Sequence, residues 1–261
     1  MMQIYTKQGL IDALKQIRER GWIANARPGN AGGIGNTLED LLGIEENNLP
    51  IPNAAEWELK CQRAKSRALL TLFHTEPSPT ALKFVPAILI PQYGWAHQKA
   101  GTKYPDDEKS FRQKINGLNY TDRGFGIRVD YETRRVVIVF NADKVADKHA
   151  EWLKNVQSNP NSGELNPQPY WGFDDLYHIA GTKLRNTFYV QAQVKRQRGQ
   201  EFFHYNKILI LRNLKIENFV AAIERGNMYI DFDARSGHNR GTKFRLNPKA
   251  LPDLYGDIEE I

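Results

Sequence analysis

The segment Glu56-Trp57-Glu58-Leu59-Lys60 sets three charged side chains at alternate positions. In an extended chain the period of two puts Glu56, Glu58 and Lys60 on one face and Trp57 and Leu59 on the other, so one face packs and the other is charged. Two carboxylates beside an ammonium suit Mg²⁺, a hard cation that takes oxygen ligands, with a lysine able to orient or deprotonate an attacking water. Phosphodiester hydrolysis needs those three elements. The plain alternative is an exposed strand whose alternating charges pair across its face, and an isolated E-x-K does not separate the two.

A second group lies in Asp233-Ala234-Arg235-Ser236-Gly237-His238-Asn239-Arg240-Gly241-Thr242, a glycine-containing turn near the end of a strand. Arginine pairs bidentately with guanine and asparagine with adenine in the major groove, so a turn that carries two arginines and an asparagine could meet base edges; a solvated hairpin is the alternative. Lys103, Lys109, Arg112, Lys114 and Arg123, interleaved with Tyr104, Phe111 and Tyr120, suggest a DNA-facing loop or a solvated excursion. The other five histidines, His74, His97, His149, His178 and His204, show no H-E-x-x-H spacing, so a zinc hydrolase is not indicated. The glycines of residues 29–35 are not followed by G-K-[ST], so no nucleotide cofactor is expected; that loop and Arg27 are instead candidates to approach DNA phosphates.

Elements must position these groups. Ile4, Leu10, Ile11, Leu14 and Ile17 predict an amphipathic helix over residues 3–20 that stops near Gly21. Asn36 or Thr37 should cap a short helix through Leu42, closed by Gly43. Strands are expected at 56–63 and 68–74, a buried apolar element at 81–90, and a hairpin of 125–131 with 135–141. Residues 94–122 form a long polar stretch without a readable period. A helix at 145–157 precedes the polar segment 158–169, the best candidate for a lobe boundary. Then follow a helix at 174–181, strands at 186–195 and 202–211, a helix at 216–225, a strand at 228–234 and a final strand at 242–246.

Composition agrees with a polyanionic partner. The chain of 261 residues carries 36 Lys and Arg against 30 Asp and Glu, a formal charge of +6, and a pI of about 9.2; cations bound to phosphates release condensed counterions. The single cysteine, Cys61, excludes an intramolecular disulfide and a multi-thiolate zinc site. No run approaches the ~20 apolar residues that span a bilayer, so no membrane association is expected and the cytoplasm is the expected location.

The order of motifs adds to this reading. A glycine-rich loop leads into Ile34-Gly35-Asn36-Thr37-Leu38-Glu39-Asp40-Leu41-Leu42-Gly43, then a proline-flanked turn, then Glu58-Leu59-Lys60. Leu70-Thr71-Leu72-Phe73, Tyr170-Trp171-Gly172-Phe173-Asp174-Asp175-Leu176 and Gly241-Thr242-Lys243-Phe244-Arg245-Leu246 follow. This series resembles the MutH-like branch of PD-(D/E)xK nucleases and, within it, the MvaI/BcnI restriction endonucleases. The resemblance implies a mixed α/β fold, a restriction-endonuclease-like sheet flanked by helices in two lobes that form a DNA-binding cleft. Residues 1–160 would be the catalytic lobe and 161–261 the recognition lobe. It implies that Glu39 assists the metal site, that Glu58 is a ligand of Mg²⁺ and Lys60 the catalytic lysine, and that the carbonyl of Leu59 completes the metal shell. The loop holding Asp233, Arg235, His238, Asn239 and Arg240, with Arg245, would read bases. The chain would act as a monomer nicking each strand of double-stranded DNA in turn, beside a DNA methyltransferase acting on the same site.

One departure matters. Where the family has the aspartate of its proline-aspartate pair, this chain has Pro52-Asn53, and a neutral amide oxygen is a weaker Mg²⁺ ligand than a carboxylate. Three explanations stand: an engineered inactivating change, a protein that binds DNA without cutting it, or an enzyme in which Glu56 supplies the missing charge. The third is favoured here, because Glu56 projects to the same side as Glu58. A MutH-like repair nicking enzyme driven by a partner protein is the further alternative.

Overall fold

The computed structural model describes residues 5–30, 32–44, 56–158 and 165–261. It is mixed α and β, as expected. The chain runs α1 (Lys7–Glu19), β1 (Ile23–Ala24), α2 (Gly33–Leu42), β2 (Glu58–Arg63) and β3 (Leu70–His74). Next come a π-helical turn (Val85–Leu89), α3 (Ile90–Tyr93), β4 (Trp95–Ala96), β5 (Lys109–Asn116), β6 (Arg123–Asp130), β7 (Arg135–Val145) and α4 (Ala150–Gln157). Then follow β8 (Tyr170–Gly172), α5 (Phe173–Lys183), β9 (Asn186–Gln197), β10 (Gln200–Leu214), α6 (Ile216–Glu224), β11 (Met228–Arg235), β12 (His238–Leu246) and β13 (Tyr255–Glu260).

The chain divides into two compact units, and it passes between them near residues 70, 177, 215 and 246. The first unit holds residues 1–70, 178–215 and 247–261. Its sheet has the order β1-β10-β9-β2, with β13 also paired to β10. Strands β9 and β10 are a long antiparallel hairpin, and β2 joins β9 in parallel, with Glu58 opposite Thr187. The core forms because α1 presents Leu10, Ile11, Leu14 and Ile17 along one stripe, and α2 presents Ile34, Leu38 and Leu42. These side chains pack with Trp57, Leu59, Phe188, Val190, Ile208 and Ile210 of the sheet. Thr6 caps α1, its hydroxyl accepting from the Gly9 amide at 3.1 Å.

Helix α2 begins at Gly33, three residues before the Asn36 cap expected from sequence. The reason is that Thr37 spends its side chain elsewhere: it is buried, and its hydroxyl accepts from the Ala26 amide at 3.1 Å. Gly43 closes the helix with φ of 64°, the left-handed conformation that glycine adopts without cost.

The second unit holds residues 71–177 and 216–246. Five strands run in the order β3-β12-β11-β5-β4, and β6, β7 and β8 make a smaller sheet. Its interior is aromatic: Phe111 and Phe125 meet at right angles 5.1 Å apart, and Phe111 meets Phe232 at 5.5 Å. Part of the polar stretch after residue 94, expected as a loop, is a strand. Lys109, Arg112 and Lys114 belong to strand β5, and Phe111 is a core residue with no exposed surface. Burial of the polar Gln113 between Phe111 and Ile115 hid the alternation. Strand β12 is not the last strand, since β13 follows as an acidic strand beside β10. Among the described residues, no helix is long and apolar enough to cross a membrane.

Candidate functional site

Strand β2 realises the alternation of its sequence from Trp57 onward. Trp57 and Leu59 are buried in the core, the Trp57 ring lying 4.8 Å from that of Phe188. Glu58 and Lys60 share the opposite face, where Lys60 Nζ stands 2.7 Å from Glu58 Oε1. Glu58 is only 2% exposed, so this is a charge-assisted contact largely withdrawn from water. Strand β2 is the end strand of its sheet among the described residues, so the pair sits at a sheet edge.

The surroundings of the pair were not foreseen. Lys183, the last residue of α5, senses both charges: burial depresses its ammonium below the ordinary lysine value, Glu58 opposes that shift and Lys60 adds to it. No motif spacing links Lys183 to Glu58, because helix α5 is far away in sequence. Beside them, the hydroxyls of Thr187 and Tyr255 are 2.8 Å apart, and Tyr255 donates to the Leu184 carbonyl at 2.8 Å. Burial raises the Tyr255 phenol well above the ordinary tyrosine range, and the charge of Glu58 adds to the rise.

Other sequence candidates fall as follows. Glu39 lies on α2, and its negative charge adds to the burial that raises the Cys61 thiol on β2. Arg27 forms a bidentate pair with Asp40, Nε to Oδ2 at 3.0 Å and Nη2 to Oδ1 at 2.8 Å. Glu56 is exposed in the turn before β2, outside the strand expected to begin with it. Asn53 lies outside the described residues. Among the described residues, no three His, Cys, Asp or Glu side chains converge to hold a metal ion. Glu58 nevertheless offers a buried hard oxygen donor, the kind of ligand a magnesium ion takes.

The second group of candidates falls in the second unit, on the hairpin of β11 and β12. Met228, Ile230, Phe232 and Ala234 point into the core, leaving Asp231, Asp233 and Arg235 on the outer face with Lys243 and Arg245 of β12 and Arg112 and Lys114 of β5. Cations outnumber acids on this face. Arg245 Nη1 is bonded to Asp231 Oδ2 at 2.8 Å. Asp233 meets Arg112 at 3.0 Å, Lys243 at 3.5 Å and Arg240 at 3.7 Å. Arg235 pairs with Glu108 at 3.0 Å, and Asn239 donates to Glu76 at 3.3 Å. His238 is exposed. Glu76 and Glu108 escaped sequence reasoning because each reaches the hairpin from a distant segment.

The sequence profile described as the MvaI/BcnI restriction endonuclease family matches residues 11–255. No curated protein sequence matches the chain. The solved complex of restriction endonuclease MvaI with cognate DNA substrate is similar, with 24% identity over 99% of both chains and a TM-score of 0.76. Restriction endonuclease MvaI in the absence of DNA is 24% identical over 100% of both chains, with a TM-score of 0.56. At that identity the two structures share the fold, while the profile, which spans nearly the whole chain, settles the kinship. The chain belongs to the MvaI/BcnI restriction endonuclease family.

Proposed function

We propose that the protein hydrolyses phosphodiester bonds of double-stranded DNA at a specific sequence, using Mg²⁺, with Glu58 and Lys60 at the reacting phosphate. The observation that carries this reading is the 2.7 Å pairing of a buried Glu58 with Lys60 at the edge of β2, in a chain of a restriction endonuclease family. Glu58, the Leu59 carbonyl, Glu56 and Asn53 would hold the metal, with Glu39 in support, and the ion would neutralise charge developing on the phosphate. Lys60 orients or deprotonates the attacking water. Its ammonium, with that of Lys183, also attracts the phosphodiester.

In the second unit the outer face of the β11–β12 hairpin is the proposed recognition surface. Arg235, His238, Asn239 and Asp233 contact base edges together with Arg245, and Arg240 contacts a neighbouring phosphate. Arg27, already paired with Asp40, exchanges that partner for a phosphate. The protein works as a cytoplasmic monomer that nicks one strand and then the other, and a methyltransferase of the same specificity protects host DNA. Asn53 favours one second reading, sequence-specific binding without cleavage, because the residue is an amide where the family has a carboxylate.

Incubation of plasmid DNA with the purified protein, with Mg²⁺ or with a chelator, followed by sequencing of the ends, tests the proposal. Discrete metal-dependent ends are expected. Intact DNA with a mobility shift would establish binding alone, and nicks that require an added partner protein would establish a repair-type enzyme.

A further inference from the structure

The β11–β12 hairpin is gripped from outside at two points. Glu108, immediately before β5, is 5% exposed. Its Oε1 accepts from Arg235 Nη1 at 3.0 Å and from the Gly237 amide at 3.2 Å. The Arg235 guanidinium lies over the Tyr104 ring, 4.3 Å from its centre, and Tyr104 is steadied edge-on by His97 at 4.8 Å. A Cβ at position 237 would stand 2.6 Å from Arg235 Nη1 and push the guanidinium out of this fit. On the other flank Glu76 Oε1 accepts from Asn239 Nδ2 at 3.3 Å and from the Thr242 amide at 2.9 Å, while its Oε2 accepts from the Thr242 hydroxyl at 3.1 Å. Asn239 Oδ1 in turn accepts from the Gly241 amide at 2.9 Å.

These bonds leave particular edges for a ligand. Arginine presents five N–H donors in a rigid planar fork. With Nη1 committed to Glu108 and one face of the guanidinium on the Tyr104 ring, the Nε–Nη2 edge of Arg235 remains to take two acceptors side by side, the pattern that guanine O6 and N7 present. A long side chain held before binding loses less rotamer freedom on binding. A buried carboxylate is costly unless it is bonded, so Glu108 would be a poor choice for packing alone.

We propose that Glu108 and Glu76 are positioning residues for base recognition: Glu108, with Tyr104, fixes the reading edge of Arg235, and Glu76 fixes Asn239, although neither carboxylate touches DNA. The proposal rests on the reading of this hairpin as the recognition surface. Sequence preference at two positions of the target then depends on two acids outside the hairpin.

The test is selection of bound duplexes from a randomised pool, by the full chain carrying Lys60→Met to suppress cutting, combined with titration against salt. Glu108→Gln and Arg235→Ala should flatten preference at the same base pair by about tenfold or more. Glu76→Gln and Asn239→Ala should flatten preference at a second base pair, and none of the acid variants should change the salt slope. Glu108→Asp should restore part of the preference. Tyr104→Leu, which leaves the carboxylate in place, should flatten the first position even if Glu108→Gln does not fold. A parent protein without sequence preference would overturn the recognition reading, and this inference with it. Preference that is lost in Arg235→Ala but kept in Glu108→Gln and Tyr104→Leu would overturn the inference alone. An equal loss of affinity across all sequences would also overturn it, by showing that the acids only support the hairpin.

Discussion

Glu58 and Lys60 stand 2.7 Å apart on one face of β2, their side chains 3% and 13% exposed. Two residues of separation on a strand bring them together, and the apolar Trp57 and Leu59 on the other face anchor the strand that carries them. Removing one partner of so dry an ion pair is costly, because the survivor's buried charge loses its nearest compensation. The pair therefore links chemistry to stability.

Lys60→Met should lower the single-turnover rate of DNA cleavage by about 10²- to 10⁴-fold, the usual contribution of a positioned general acid or base. DNA affinity measured by mobility shift should change far less. Glu58→Gln should lose cleavage to a similar extent without becoming better at binding Mg²⁺. A Lys60→Met enzyme within tenfold of the wild type would remove the lysine from the mechanism.

Lys183 supplies a second cation beside Glu58 that no sequence motif announces. Lys183→Met should reduce cleavage by about 10-fold or more, with specificity unchanged, as expected for a group that acts through charge at the phosphate. It also carries a pH signature. Burial holds the folded-state pKa of Lys183 below that of the unfolded chain, so the unfolded state binds more protons between the two values and stability rises with pH there. The wild type should gain stability relative to Lys183→Met on going from neutral toward pH ~10. Thermal unfolding across that range checks it, and parallel curves would show that Lys183 titrates as a free lysine.

Trp57→Ala should cost about 3–5 kcal/mol of stability, the usual range for truncating a buried tryptophan. Trp57 is 7% exposed and meets Phe188 of the neighbouring β9. Because Trp57 directly precedes Glu58, cleavage should fall further than the folded fraction alone accounts for. Chemical denaturation and cleavage assays on the same preparation separate the two effects.

What was legible in the sequence was local. The alternation of Trp57, Glu58, Leu59 and Lys60 gave the packed and charged faces of β2, and the apolar stripe of α1 gave its buried side. The strands that became β9, β10 and β11 were readable as well, though not their pairing or their buried faces. What stayed hidden needed partners from far along the chain. Lys183 joins Glu58 only because β2 docks in parallel beside β9, the strand that follows α5. Glu108 is one acid within Asp106-Asp107-Glu108, and nothing in that run distinguishes the buried one. Thr37, a good cap by residue type, is diverted to the Ala26 amide by the loop packed against it.

Asp233 separates positioning contacts from reading contacts. It is shared by Arg112 at 3.0 Å, Lys243 at 3.5 Å and Arg240 at 3.7 Å, so one acid restrains three cations on the outer face of the sheet. Arg240 has the longest of these contacts and a side chain 60% exposed, the profile of a residue that moves to a phosphate. Arg240→Ala should weaken DNA binding equally for all sequences and reduce the salt slope by about 0.9, the value for one lost phosphate contact. Asp233→Asn should do the opposite if the acid only restrains its neighbours, since released cations would raise non-specific affinity and steepen the slope. If Asp233 instead accepts from a cytosine amino group, Asp233→Asn should relax preference at one base pair and leave the slope unchanged. Affinities for the target and for unrelated duplexes, measured at several salt concentrations, distinguish these outcomes.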